Sequence, residues 1–336
     1  MYTIDNFING KPDTNSSESS SIINPSYGED IGEVLHATQE SANQAIEAAS
    51  KAFVSWSKTG MSYRAELILK FRQGVIDKSN DIIDICIKEA GKTKPDAEAE
   101  LDRAIQALTH ASGIQHFYPA HISRNVAGNI DIADMRYPIG VVAGVGPFNF
   151  PILIPILHSS MALVTGNTHI AKPSEKVPSI SRLYADIYKE AGLPDGCYNV
   201  INGGKDIVEY IVSHNKVDGL AFIGSTAAAR SLKSLGVEHN TKVQALGGGK
   251  NHMIVLPDAD LDMAADAAVS ASFGAAGQRC MAVSVVVAVG DIADDLVNKI
   301  KERIPNIKMG VTDDDSTELG PVISSENRDR INSFIE

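Results

Sequence analysis

The chain is poor in the residues that mark whole classes of protein. It has three cysteines in 336 residues, Cys86, Cys197 and Cys280, and no Cys-x-x-Cys. A disulfide framework is excluded, and with no His-x-x-x-His pairing either, no metal site is expected. Positive charge is in deficit: 30 Lys and Arg stand against 42 Asp and Glu, a net charge of -12. That balance disfavours nucleic acid and anionic membrane as partners. The longest apolar stretch, Pro151 to Val164, is interrupted by His158, Ser159 and Ser160 and is too short to span a bilayer. Met1 to Gly10 has no basic region followed by an apolar one, so no signal peptide is expected. Together with the sparse, odd set of thiols, this points to the reducing cytoplasm. The G-x-G-x-x-G fingerprint of dinucleotide sites is missing too.

What is present is length and rhythm. A chain of this size can bury a large core and should hold about two domains. Asp13 to Ser21, rich in Ser, Asn and Glu, reads as a polar loop. From Ser41 to about His116 apolar residues recur at helical spacing, as in Ala45, Ala48, Ala49 and Ala52. Asn129 to Ala133 alternates as a half-exposed strand would. Strand and helix then take turns: Ile139–Val145, Pro151–Val164, Thr168–Ala171, Ser179–Ala191, Tyr198–Ile201, Lys205–Ser213, Gly219–Ile223 and a helix from Ser225. That alternation predicts βαβ units, a parallel sheet, and ligands at the carboxyl ends of its strands. Gly247-Gly248-Gly249 interrupts a strand that resumes at His252, and Asp258-Ala259-Asp260 is a good helix cap. A boundary is therefore expected at 245/246.

Four motifs could carry chemistry. In Gly146-Pro147-Phe148-Asn149-Phe150-Pro151, between strand and helix, Asn149 could donate to a developing oxyanion or simply cap the helix. In Lys172-Pro173-Ser174-Glu175-Lys176, a lysine and a carboxylate could bond ribose hydroxyls, or be an ordinary loop with a Ser cap. In Phe222-Ile223-Gly224-Ser225-Thr226, Ser225 and the first-turn amides could meet a pyrophosphate, or be an ordinary N-cap. The fourth is Ala245 to His252, with Cys280 following in Ser272-Phe273-Gly274-Ala275-Ala276-Gly277-Gln278-Arg279-Cys280-Met281. Small residues there allow close approach of a ligand, and the guanidinium of Arg279 favours the nucleophilic thiolate. Cys86, in an apolar run, and Cys197, opening a strand, read as core filler.

In this order and spacing the four motifs resemble the aldehyde dehydrogenases. Phe273 to Ala282, with Pro147–Pro151, Gly166-Asn167-Thr168 and Lys172–Glu175, are most similar to the CoA-acylating methylmalonate-semialdehyde dehydrogenase branch. The resemblance implies an α/β chain: a Rossmann-like NAD-binding domain with N-terminal helices, 1–245, and an α/β catalytic domain, 246–336. Residues 120–137 would begin a bridging, oligomerisation sheet. Family members run on beyond this length, so the chain is expected to be truncated at its C-terminus, within the catalytic domain. By the resemblance, Cys280 attacks an aldehyde, and Asn149 with the Cys280 amide holds the oxyanion. Gly146, Phe148, Lys172, Glu175, Lys176, Ser225 and Gly247 fall at positions that contact NAD. Glu175 would disfavour the 2′-phosphate of NADP. Arg103 and Arg279 would bind the carboxylate of malonate or methylmalonate semialdehyde, although Arg103 could equally be a surface partner of Glu100. Hydrolytic relatives carry a glutamate where this chain has Leu246. Leucine cannot take a proton from water, so coenzyme A would be the acyl acceptor. The products would be acetyl- or propionyl-CoA and CO2, and the enzyme a homo-oligomer, dimer or tetramer. The alternatives are a broader aldehyde dehydrogenase and, for a truncated chain, an inactive NAD-binding fragment.

Overall fold

The structure, a computed structural model, describes residues 1–118 and 120–335. Five strands open the chain: β1 (Tyr2–Ile4), β2 (Asn6–Ile8), β3 (Lys11–Asp13), β4 (Ser16–Asn24) and β5 (Glu29–Ala37). β1, β5 and β4 form a small sheet. The segment expected to be a polar loop thus holds most of β4, which pairs antiparallel with β5 from Ser16 to Asn24. Its serines carry little strand preference of their own. The ladder, a bond between Ser20 Oγ and His36 Nε2 of 2.8 Å, and the fully buried Ile22 override that.

Helices follow: α1 (Gln39–Trp56), α2 (Met61–Asp77), α3 (Ser79–Ala90), α4 (Lys94–Ser112) and the short α5 (Ile114–Phe117). The Thr38 side chain caps α1 by accepting from the Ser41 amide, and the helix buries Ala42, Ala45, Ile46 and Ala49 along one stripe. An exposed two-stranded hairpin, β6 (His121–Ser123) and β7 (Ile132–Asp134), comes next. The paired part of the alternating run starts only at Ile132, because Asn125, Gly128 and Asn129 turn the chain through positive φ.

The βαβ region is β8 (Val141–Val145), α6 (Leu153–Val164), β9 (Thr168–Lys172), α7 (Ser179–Glu190), β10 (Tyr198–Val200), α8 (Lys205–Ser213), β11 (Gly219–Ile223), α9 (Thr226–Glu238) and β12 (Lys242–Leu246). Its sheet runs β12-β11-β8-β9-β10, parallel throughout, with β2 and β3 added antiparallel at one edge. One core packs α2, α3, α4 and α7 around Phe71, whose ring stacks on Tyr188 at 3.6 Å between centroids. The other packs α1, α8 and α9 on the opposite face. After Leu246 the chain leaves this sheet. β13 (Asn251–Val255) pairs in parallel with β14 (Val283–Ala288), joined by α10 (Leu261–Phe273). With α11 (Ala293–Arg303) they enclose a small third core around Ala265 and Leu296. α12 (Ser325–Ile335) ends the described chain.

Candidate active site

The sheet topology gathers the motifs. β9 and β10 lie on one side of β8, β11 and β12 on the other, so the order reverses at β8. A crevice for a ligand opens at such a reversal, outside the carboxyl ends of the strands. Val145 is in register with Lys172 and Phe222, and Ile223 with Leu246. The turns beginning at Gly146, Pro173, Gly224 and Gly247 therefore stand side by side, although a hundred residues separate the first from the last.

These turns are built for close approach and for anions. Ser225 caps α9, its hydroxyl accepting from the Ala228 amide at 3.3 Å, and presents a helix N-terminus to the crevice. The Thr226 hydroxyl accepts from the Gly248 amide at 3.1 Å. A side chain at Gly247 would come within 2.9 Å of Thr226, so only glycine allows this contact. Gly146 donates its amide to the Lys172 carbonyl at 3.1 Å. Phe148 packs partly buried on the first core. Lys172 is 6% exposed, and the Glu175 carboxylate lies 3.4 Å from it, with Asp206 acting more weakly. Burial lowers the Lys172 pKa, and Glu175 pulls it part of the way back. For Glu175, burial acts upward, but Lys172, its own amide and Lys176 outweigh it and hold the carboxyl below its ordinary value. Lys176 reaches away, donating to Ser324 Oγ at 3.1 Å.

The thiol comes from the other part of the chain. After α10, Ala275, Ala276 and Gly277 take φ of 51°, 53° and 69° in succession. Left-handed alanines cost about 1–2 kcal/mol each, a strain that must be held by the surroundings. The holding bonds are visible. Asn149 Nδ2 donates to the Gln278 carbonyl at 2.7 Å. Asn251 Nδ2 donates to the carbonyls of Cys280 and Ala282, both at 2.9 Å. Gln278 Oε1 accepts from the Ile323 amide at 3.0 Å. Asn149 is thus directed at the thiol loop and leaves the start of α6 to another group, the carboxylate of Glu100. Cys280 is exposed, whereas Cys86 and Cys197 are buried. Burial pushes both inner thiols up, Cys197 to about 12, which leaves them protonated and inert.

The two arginines sit differently from each other. Arg279 Nη2 lies 2.5 Å from Asp96 Oδ1 and faces a cavity of about 480 Å³ lined by Thr93, Asp96, Phe273, Arg303 and Leu319, among others. Cys280 is not in its wall. Arg279, expected to act on the adjacent thiol, is ion-paired with the Asp96 carboxylate. Arg103 is exposed on α4. Its supposed surface partner, Glu100, is turned inward to Lys92. Leu246, at the end of β12, is 51% exposed. Asn251 and Glu100 had no local signal in the sequence: each acts on backbone far along the chain.

The chain matches the aldehyde dehydrogenase family over residues 13–336. It is 40% identical over 337 residues to the malonate-semialdehyde dehydrogenase of Lacticaseibacillus casei, covering 100% of this chain and 68% of that protein. With the malonate-semialdehyde dehydrogenase of Pseudomonas aeruginosa the identity is 38%, with the same coverage. The crystal structure of a methylmalonate-semialdehyde dehydrogenase from Oceanimonas doudoroffii superposes with a TM-score of 0.97 at 39% identity, covering 100% of this chain and 69% of that one. A structure from Sinorhizobium meliloti, complexed with NAD and provisionally named a methylmalonate-semialdehyde dehydrogenase, gives 0.96 at 38% identity and the same coverage.

Proposed function

This chain belongs to the aldehyde dehydrogenase family, and from that premise we propose that it oxidises malonate or methylmalonate semialdehyde, with NAD as hydride acceptor and coenzyme A as acyl acceptor. The observation that carries the reading is the meeting of Asn149 with the loop of Cys280, across 129 positions of sequence. An accessible thiol and a side-chain amide donor brought to one place are the minimum for attack on a carbonyl.

The cradle fits a dinucleotide. A capped helix N-terminus, a glycine pressed against Thr226 and a buried lysine paired with Glu175 stand at the carboxyl ends of strands in one sheet. Ser225 with the amides of α9 would take the pyrophosphate, Lys172 and Glu175 the ribose, and Gly146, Phe148, Lys176 and Gly247 the remaining walls. NAD, when bound, accepts the hydride. Cys280 Sγ attacks the aldehyde carbon, and the bond to oxygen opens to an oxyanion. Asn149 Nδ2 and the Cys280 amide donate to that oxyanion. Its collapse expels the hydride and leaves an acyl thioester on Sγ. The malonyl or methylmalonyl thioester loses its free carboxylate as CO2, the resulting enolate takes a proton, and the thiol of coenzyme A displaces the acetyl or propionyl group, returning the Cys280 thiol. Leu246 supports this last step, since it offers water no base.

The substrate carboxylate is assigned to Arg279 and Arg103, and at Arg279 it would displace or compete with Asp96. The boundary at 245/246 suits the change of sheet after Leu246. Association into a dimer or tetramer would cover the exposed hairpin, on which Ile122 is 69% and Ile132 55% exposed. A cytoplasmic setting suits three free thiols.

The test is NADH formation with malonate semialdehyde, with and without coenzyme A, beside Cys280→Ala. Turnover should require coenzyme A and vanish in the variant. Equal turnover without coenzyme A would refute thiolysis, and turnover by Cys280→Ala would refute the nucleophile.

A further inference from the structure

Glu100 and Lys92 bury opposite charges, 3% and 6% exposed, and the chemistry above uses neither. Lys92 Nζ is 2.5 Å from Glu100 Oε2. The other oxygen, Oε1, accepts from the amides of Ile152 and Leu153, both at 2.8 Å. The ammonium lies 4.2 Å from the centroid of the Phe150 ring. Tyr184 completes the shell, its hydroxyl donating to the Ile152 carbonyl at 3.0 Å.

A buried ion pair is a poor source of stability, since a well-packed apolar pair of similar volume often does as well. Its use is best sought in what it holds. The first amides of a helix have no partner inside it. Here Glu100 supplies that partner for α6 from a different helix, α4, and Lys92 opposes the burial that raises the carboxyl pKa. The same lysine sits over Phe150, the residue that follows Asn149. Both points of attachment therefore lie immediately after the side chain that reaches the thiol loop.

We propose that Lys92 and Glu100 are positioning residues for Asn149: they fix the turn at residues 150–153 so that the Asn149 amide points at the oxyanion formed on the Cys280 adduct. The proposal rests on the reading of Asn149 as an oxyanion donor. Such a donor must be placed within a fraction of an ångström, and a misplacement of 1 Å can cost about 10²-fold in rate.

The experiment follows acylation of the enzyme by p-nitrophenyl acetate, which needs neither NAD nor coenzyme A. Cys280 Sγ adds to the ester carbonyl, giving the oxyanion. Collapse expels p-nitrophenolate with the electrons of the broken C–O bond and leaves an acetyl thioester. The p-nitrophenolate burst reports the rate. Two double variants are compared, each free of buried charge and so able to fold. Lys92→Met/Glu100→Leu removes the acceptor for the two amides, whereas Lys92→Met/Glu100→Gln keeps one. We expect the first to be slower by about 10- to 100-fold at an unchanged half-saturating ester concentration, and the second to recover to within about twofold of the parent. Asn149→Ala should cost about 10²-fold or more. Added to Asn149→Ala, the Lys92→Met/Glu100→Leu pair should cost no more than about a further twofold. If that pair slows the Asn149→Ala enzyme as much as it slows the parent, or if the two double variants are equal, the positioning role is overturned while Asn149 stands. If Asn149→Ala leaves the burst unchanged, or the burst survives Cys280→Ala, the reading of the site falls first and the positioning role with it.

Discussion

His169 and Lys172 stand three residues apart on β9, near opposite ends of one buried strand, and the difference between them separates structure from function. His169, toward the amino end, is 1% exposed, and neither ring nitrogen finds a partner among the described residues. Burial, helped by nearby His158, holds its pKa down at about 3, and that of His158 at about 4. Both are neutral rings, packed so closely over Gly144 that a side chain there would come within 2.7 Å of one and 2.8 Å of the other. Lys172, at the carboxyl end, is buried nearly as deeply but keeps a carboxylate, Glu175, at 3.4 Å. Water has been taken from both groups. Only the second has been given a reason to stay charged, and it is the one facing the crevice.

Removing the titratable group at each end should therefore break different things. Lys172→Met should weaken NAD binding by about 10- to 100-fold, the value of a charge-assisted hydrogen bond of about 1.5–3 kcal/mol. Stability should not fall, because a cation that burial opposes is lost with it. Titration with NAD by fluorescence, beside urea unfolding, checks both halves. Unchanged affinity would remove Lys172 from the cofactor site, and lost stability would make it a structural cation.

The same contrast explains what could be read from the sequence. The crevice was legible because each strand that lines it ends in its own short turn: Gly146-Pro147, Pro173-Ser174, Gly224-Ser225, Gly247-Gly248. Asn149 and Cys280 stood out through their immediate neighbours. β4 was not legible, since Ser16 to Ser21 become a strand only by pairing with β5. Nor were the clamps. Glu100 holds amides 52 and 53 positions away, and Asn251 holds the Cys280 carbonyl 29 positions away. A side chain that bonds remote backbone has no periodicity and no preferred neighbour. The pairing of Arg279 was not legible for the same reason, because its carboxylate partner, Asp96, lies 183 positions earlier.

At the amino end the measurable consequence is acid sensitivity. His169 has a folded pKa of about 3, below its ordinary 6.5. Between those values the unfolded chain binds a proton that the folded chain refuses, so stability is present above pH 6.5 and is lost as pH falls through the window. His169→Leu should flatten that loss by about 1.4 kcal/mol per pH unit and leave NAD affinity alone. Urea midpoints at several pH values between 7 and about 4.5 would show the two proteins converging or crossing on the acid side. Parallel curves would mean that His169 finds a proton acceptor in solution.

The smallest change should turn one end into the other. Glu175→Gln leaves Lys172 buried with only the weaker pull of Asp206, close to the condition that neutralises His169. Glu175 is itself 40% exposed on its side chain, so at neutral pH the loss should stay within about 1 kcal/mol of NAD binding. The effect should grow with alkalinity. Burial already lowers the Lys172 pKa, and without Glu175 it falls further. A lysine loses its charge as pH rises through its pKa, so NAD affinity in the variant should begin to decline at a lower pH than in the parent. Dissociation constants measured between about pH 7 and 10 decide it. A decline at the same pH in both proteins would mean that Glu175 does not keep Lys172 charged, and the contrast along β9 would then rest on exposure alone.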